Sequence, residues 1–261
     1  MEINLKNKNA WVFGASSGIG RSIAIELSRV GANVLLIARN KNKLEEVLGG
    51  LCVKSGQKHD FLSVDMSDID NLESKLSNIE KIKTADIIIN NSGGPKGGLG
   101  HKADTSEYIM AFKQHLISAQ TAVQIVVPQM IKQKFGRIIN IISTSVKQPI
   151  RGLGVSNTTR GAVANWSKTI SSELGQHGIT VNNILPGATQ TNRLDELIKI
   201  KSEKSEKSHD DIRLEMKSSI PCGRFANPSE VAYAVVFLCS EYADYINGIN
   251  LPIDGGRTSS L

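Results

Sequence analysis

Cysteine is scarce in this chain: Cys52, Cys222 and Cys239 are the three among 261 residues. An odd count at unrelated spacings argues against a disulfide framework and against a thiolate metal site. The five histidines, His59, His101, His115, His177 and His209, are scattered, so no metal site is expected from them either. No apolar run approaches the roughly 20 residues that span a bilayer. The start, Met1-Glu-Ile-Asn-Leu-Lys6, runs into the first apolar stretch without a signal-peptide core. No membrane partner is therefore expected, and a reducing cytoplasm is the expected compartment. A Pro/Gly/Ser-rich linker is also missing, which argues for a single domain over residues 1–261. No Cys/His pair of the kind that hydrolases use is evident, and the one Gly-x-Ser-x-Gly match, Gly14-Ala-Ser-Ser-Gly18, belongs to a glycine-rich turn.

What is present has the composition of an ordinary globular protein, 40% hydrophobic and 21% charged. Strand-like runs recur at Ala10–Phe13, Asn33–Ala38, His59–Val64, Asp86–Ile89, Arg137–Ile142, Thr180–Leu185 and Asn250–Ile253. Several are continuously apolar, as parallel strands buried on both faces require. Helical patterns lie between them, at Lys41–Leu51, Thr105–Gln133, Asn157–Leu174 and Pro228–Cys239. This alternation predicts an α/β protein: a doubly wound, Rossmann-type parallel sheet of about seven strands with helices on both faces. The net charge of +6 favours anionic partners, such as a phosphate-rich cofactor or an acidic carrier protein. Nucleic acid is not expected, because no basic stripe is interleaved with aromatics. The densest charge run, Lys199 to Asp211, alternates in sign and reads as a solvated helix face.

The most informative segment is Gly14-Ala-Ser-Ser-Gly18-Ile-Gly20, between the apolar Ala10–Phe13 and a helical pattern. A strand, a glycine turn and a helix in that order make a phosphate cradle. Glycines let the backbone turn sharply, and the helix N-terminus attracts the pyrophosphate. Gly14, Ser16, Ser17, Gly18, Ile19 and Gly20 are its candidate contacts. Further motifs follow in order: Asp65-Met66 after a strand, Asn90-Asn-Ser-Gly93, Gly136-Arg-Ile-Ile-Asn-Ile-Ile-Ser143, Asn182-Asn-Ile-Leu-Pro-Gly187 with Thr191, and Asp254-Gly-Gly256.

Taken together these motifs resemble the short-chain dehydrogenase/reductase family over nearly the whole chain, most closely its bacterial 3-oxoacyl-carrier-protein reductase-like members. The resemblance implies a nicotinamide cofactor. It places Asp65 and Met66 at the adenine, Asn91, Ser92 and Gly93 along the cofactor, and Pro186, Gly187 and Thr191 at its nicotinamide end. The second strand ends Ile37-Ala38-Arg39. An acid there would accept hydrogen bonds from a ribose 2′-OH, whereas a guanidinium grips a 2′-phosphate. Arg39 therefore predicts NADP(H) rather than NAD(H).

The resemblance also implies a catalytic serine, tyrosine, lysine and asparagine. Ser143 fits the serine. The tyrosine and lysine positions hold Ser156 and Arg160, and the asparagine position holds His115. The resemblance also implies that the lysine position binds the nicotinamide ribose, and Arg160 can still bind its hydroxyls. A phenol beside a cation titrates near working pH, but a serine hydroxyl does not, and arginine is a poor proton relay. The replacement proton donors open to the chain are His115, Lys147, or a water held by Ser143, Ser145 and Ser156.

Two functions follow as expectations. One is an NADP(H)-dependent oxidoreductase acting on a carbonyl or secondary alcohol, with a non-standard catalytic site. Its substrate would be a small molecule, free or linked to an acyl carrier protein. The other is a non-catalytic NADP(H)-binding sensor or scaffold. A substrate lid is expected near 192–219. A homo-tetramer is expected from the apolar helices, with Val123, Ile125, Val126, Val127, Ala162, Val163, Ala164 and Trp166 on the contact faces.

Overall fold

In the computed structural model, residues 2–260 are described; Met1 and Leu261, which the single-domain expectation included, lie outside the described residues. The chain forms β1 (Asn9–Phe13), α1 (Gly18–Arg29), β2 (Asn33–Ala38), α2 (Lys41–Gly49), β3 (Asp60–Ser63), α3 (Ile69–Glu80) and β4 (Ile87–Asn90). Next come α4 (Thr105–Phe112), a π turn (Lys113–Ile117), α5 (Ser118–Gln133), β5 (Gly136–Ile141), α6 (Gly154–Leu174) and β6 (Ile179–Pro186). The last elements are α7 (Asn192–Ser205), α8 (His209–Ser218), α9 (Pro228–Cys239) and β7 (Asn250–Ile253).

The seven strands make one sheet in the order β3-β2-β1-β4-β5-β6-β7. Every pairing is parallel. Side chains along a strand alternate between faces, and the two cores divide accordingly. Ala10, Val12, Val34, Leu36, Ile87 and Ile89 pack with α1, α2 and α9 on one side. Trp11, Phe13, Leu35, Ile37 and Ile88 pack with α3 and α5 on the other. Strands buried on both faces are apolar at nearly every position, which is why the runs were readable in the sequence.

Polar residues inside the sheet pair with one another in register. Asn90 donates to Asn140 Oδ1 (2.8 Å), Asn140 to Asn183 Oδ1 (2.9 Å) and Asn183 to Asn250 Oδ1 (2.8 Å). These residues are aligned partners on β4, β5, β6 and β7. The ladder satisfies amides that would be costly to bury alone, and it ties together the strands whose ends carry the site.

The expected helix over Thr105–Gln133 is interrupted. Residues Lys113–Ile117 form a π turn between α4 and α5, which is a common way to insert one residue into a helix. The expected contact faces are also partly internal. Val123, Val126, Val163 and Ala164 are buried within the single chain, so only half of those eight residues remain for an interface. The apolar residues that do stay exposed on this side are Ile109, Met110 and Ile117, at 59%, 54% and 41%. The alternating charge run is exposed, as expected. It ends α7 and leads into α8, and those two helices enclose a small apolar cluster of Leu194, Ile198, Ile212, Ile220 and Phe225.

Candidate active site

Beyond the carboxyl ends of the strands, where β1 and β4 lie side by side and the chain order reverses, lies a cleft of ≈ 580 Å³. Open parallel sheets bind ligands at such a reversal point. Gly14, Ser16, Ser17, Gly18 and Ile19 line it from below. Gly14 has φ +62°, and a Cβ there would lie 2.6 Å from the Asn91 carbonyl oxygen. Gly20 does not line the cleft. A Cβ at Gly20 would meet the Gly14 carbonyl oxygen at 2.3 Å, so its absence lets α1 pack close under the turn. The N-cap of α1, Ser17, makes no side-chain capping bond, and no acid lies in the first turn. By contrast, α2, α3, α7 and α8 are each capped by a side chain. The first amides of α1 thus remain available to an anion.

At the outer end, Ala38, Arg39, Asn40 and Lys43 line the cleft. Arg39 Nη1 lies 3.6 Å from Asp65 Oδ2. Asp65 Oδ1 accepts the Ser67 backbone N–H and hydroxyl. Partial burial works to raise the Asp65 pKa, but the Ser67 hydrogen bonds and the Arg39 charge outweigh it and hold the carboxyl below its ordinary range. Asp65 does not line the cleft, although its neighbour Met66 does. It pairs with Arg39, which does line the cleft. Lys43, which sequence reasoning did not single out, stands beside Arg39 because Asn40 caps α2 at Lys43 N–H.

Three of the four expected catalytic positions converge. Ser143, Ser156 and Arg160 all line the cleft. Ser143 ends the β5 segment, and its Oγ accepts the Ser145 N–H (3.1 Å). Ser156 and Arg160 are one turn apart on α6, and Arg160 Nε donates to Ser156 Oγ (3.3 Å). Arg160 Nη1 donates to the carbonyls of Ile141 (3.1 Å) and Ile142 (2.9 Å). Burial, and then the charge of Arg193, bring its pKa down to about 10, so it remains a cation at neutral pH. Both serine oxygens are therefore already accepting, which leaves each hydroxyl hydrogen for another acceptor.

His115 is not brought into this cleft. It lies buried in the π turn and lines a small adjoining cavity of ≈ 20 Å³ with Asn90, Ser118 and Asn140, and Asn91, Ser92, Ile141 and Ile142 line both that cavity and the cleft. Its Nδ1 is paired with Ser92 Oγ, and its Nε2 has no partner among the described residues. Burial, reinforced by the Arg160 charge, pulls its pKa down to about 3. It is a neutral buried histidine at pH 7, and Ser92 stands between it and the cleft. Ser145 is buried and does not line the cleft. The remaining expected contacts, Asn91, Ser92, Gly93, Pro186, Gly187 and Thr191, do line it. Thr191 also caps α7, where its side chain accepts from Leu194 N–H. The residue that sequence reasoning missed here is Arg193, in the first turn of α7. The position after the expected Thr191 contact was the available signal.

Among the described residues no group of three or more His, Cys, Asp or Glu is placed to hold a metal ion. None of the helices is long and apolar enough to cross a membrane.

An open parallel sheet with an uncapped glycine turn and an acid-free cleft at its reversal point defines a dinucleotide-binding fold. A family model described as enoyl-(acyl carrier protein) reductase matches residues 14–258. The chain is 30% identical over 257 residues to the 3-oxoacyl-[acyl-carrier-protein] reductase FabG of Aquifex aeolicus, covering 98% of this chain and 99% of that one. It is also 30% identical over 259 residues to the NADPH-dependent reductase BacG of Bacillus subtilis, covering 98% of this chain and all of that one. The structure is similar to L-sorbose reductase from Gluconobacter frateurii complexed with NADPH and L-sorbose, with a TM-score of 0.93, 28% identity and full coverage of both chains. The chain belongs to the short-chain dehydrogenase/reductase family of oxidoreductases.

Proposed function

We propose that this protein is an NADP(H)-dependent oxidoreductase that interconverts a carbonyl and a secondary alcohol. The observation that carries this reading is that Ser143, Ser156 and Arg160 face the same cleft as the phosphate cradle. The cleft fits the cofactor. Its outer end offers Arg39 and Lys43 to a 2′-phosphate, with no acid at the end of β2 and the Asp65 carboxylate already paired with Arg39, and the first turn of α1 offers amides to the pyrophosphate. Reduced nicotinamide supplies the hydride when bound. The chain's own residues supply polarisation: the Ser143 and Ser156 hydroxyls donate to the carbonyl oxygen, with the Arg160 charge behind Ser156. This is electrostatic stabilisation of a developing alkoxide. With His115 neutral and buried and Lys147 outside the cleft lining, water supplies the proton, general acid help worth about 10²–10⁴ in rate is weakened, and turnover is slow.

The names of the relatives suggest two substrate classes, a carrier-linked ketone and a free small carbonyl. The α7–α8 segment acts as the lid over either. The exposed Ile109, Met110 and Ile117 support assembly into a homo-tetramer. The free cysteines support a reducing cytoplasm. The runner-up reading, a cofactor-binding protein without chemistry, is favoured by Ser156 and Arg160 at the positions where the family carries tyrosine and lysine.

Titration with the two cofactors, followed by a carbonyl panel, separates these readings. NADPH should bind more tightly than NADH, and Arg39→Asp should remove that preference. Slow NADPH oxidation should be lost in Ser143→Ala. Tight NADPH binding with no oxidation on any ketone or aldehyde establishes the non-catalytic reading.

A further inference from the structure

Four cations line the cleft, Arg39, Lys43, Arg160 and Arg193, and no aspartate or glutamate does. Arg39 and Lys43 stand at the outer end, where a 2′-phosphate accounts for them. Arg160, which the resemblance also places at the neutral nicotinamide ribose, and Arg193 stand at the inner end, where no phosphate accounts for their charge. They come from different elements, α6 and α7, and they converge on one point. The position a Cβ on Gly94 would occupy lies 3.6 Å from Arg160 Nη2, and 3.9 Å from both Nε and Nη2 of Arg193. Glycine at 94 keeps that space empty.

Both guanidinium groups are held in place. Arg160 is anchored by Ser156 and the two β5-end carbonyls, all neutral acceptors. Its Nη2 has no hydrogen bond among the described residues. Arg193 is tied to the Pro95 carbonyl, and its one carboxylate partner, Glu196, is largely solvent-exposed. A buried cation normally has an anionic partner, because burying an unpaired charge is expensive. Here the chain supplies none, and a second cation faces the first.

We propose that Arg160 and Arg193 form a carboxylate subsite, so that the substrate is a small oxo acid or the matching hydroxy acid and not a neutral thioester. This rests on the reading of the cleft as a reductase site. Arg160 Nη2 and Arg193 Nε, one nitrogen from each guanidinium, remain to meet the two oxygens of a carboxylate in charge-assisted hydrogen bonds. Arg160 reaches from the subsite to Ser156, so one residue links the anion to the polarised carbonyl and sets their separation. The competing source of the anion is the cofactor's own pyrophosphate.

The test uses the full-length protein saturated with NADP⁺. The probes are a series of small oxo acids of increasing chain length, each beside its methyl ester, with binding followed by calorimetry. At least one acid should bind about tenfold or more tightly than its ester, the effect of a hydrogen bond to a charged group. Arg193→Gln should abolish that preference, and Arg193→Lys should retain part of it. NADPH affinity should stay within about twofold of wild type in both variants, since the cradle and Arg39 hold the phosphates. Circular dichroism melts show whether the variants fold. Equal affinity for every acid and ester, no binding of any acid, or a preference that survives in folded Arg193→Gln overturns the subsite. A tenfold loss of NADPH affinity in Arg193→Gln assigns the pair to the pyrophosphate and overturns it as well. Failure of wild type to bind NADPH would instead remove the reductase reading, while acid binding to the unloaded protein would still report on the arginine pair.

Discussion

A histidine held neutral inside a protein binds no proton over a pH range in which the unfolded chain does. His115 has an ordinary pKa of 6.5 and a folded value of about 3, set by burial and then by Arg160. Its contribution is intact above the unfolded pKa. As pH falls below about 6.5 the unfolded state takes up a proton that the folded state refuses, and stability drops by about 1.4 kcal/mol per pH unit until pH nears 3. His115→Gln removes that proton. The variant should be less stable than wild type at pH 7.5, because the Ser92 contact and the packing change. The gap should close as pH falls from 6.5 toward 4. Urea unfolding of both proteins across that range measures it, and a gap independent of pH would contradict the burial argument. At this scale the sequence named the position but could not say where the ring points. Ser92 and His115 lie on different elements, and only the π turn brings them into contact.

Helix ends carry a second titration. Glu80 is the last residue of α3, where a negative charge opposes the helix dipole. Its Oε2 accepts the Ala85 N–H, and its Oε1 is buried without a partner among the described residues. Burial drives its pKa up to about 7, and the Asp86 charge adds to that, while the Ala85 N–H works against it. The folded state therefore holds a proton that the unfolded chain releases near 4.5, and stability declines as pH rises from 4.5 to 7. Glu80→Gln keeps the acceptor without the charge. Its melting temperature should exceed that of wild type at pH 8, and the two should converge near pH 4.5. An equal or lower value at pH 8 would mean that water reaches the carboxylate. The strands and the major helices were legible because they have a clear period and recognisable ends, such as Gly175 after α6 and Pro228 at the start of α9. The interruption of the 105–133 helix was not. A π turn changes the backbone by one residue without changing the apolar pattern enough to show.

At the scale of the whole molecule, Ile109, Met110 and Ile117 present an apolar face that a second copy would cover. Light scattering at micromolar concentration should give the mass of a tetramer, and Ile109→Asp combined with Met110→Asp should shift it to a smaller species. A monomeric mass for wild type rules the assembly out. The sequence by itself determined the sheet, its approximate strands, the phosphate cradle and the replacement of the expected tyrosine and lysine by Ser156 and Arg160. Those are properties of short segments, where the period of the side chains and the spacing of glycines are set along the chain. Tertiary structure alone decided three things. It set Asp65 beside Arg39, it joined His115 to Ser92, and it brought Arg193 of α7 and Arg160 of α6 to the same space beside Gly94. Each joins residues on separate elements, and their distance depends on how strands are ordered and helices docked, which no local pattern in the sequence encodes.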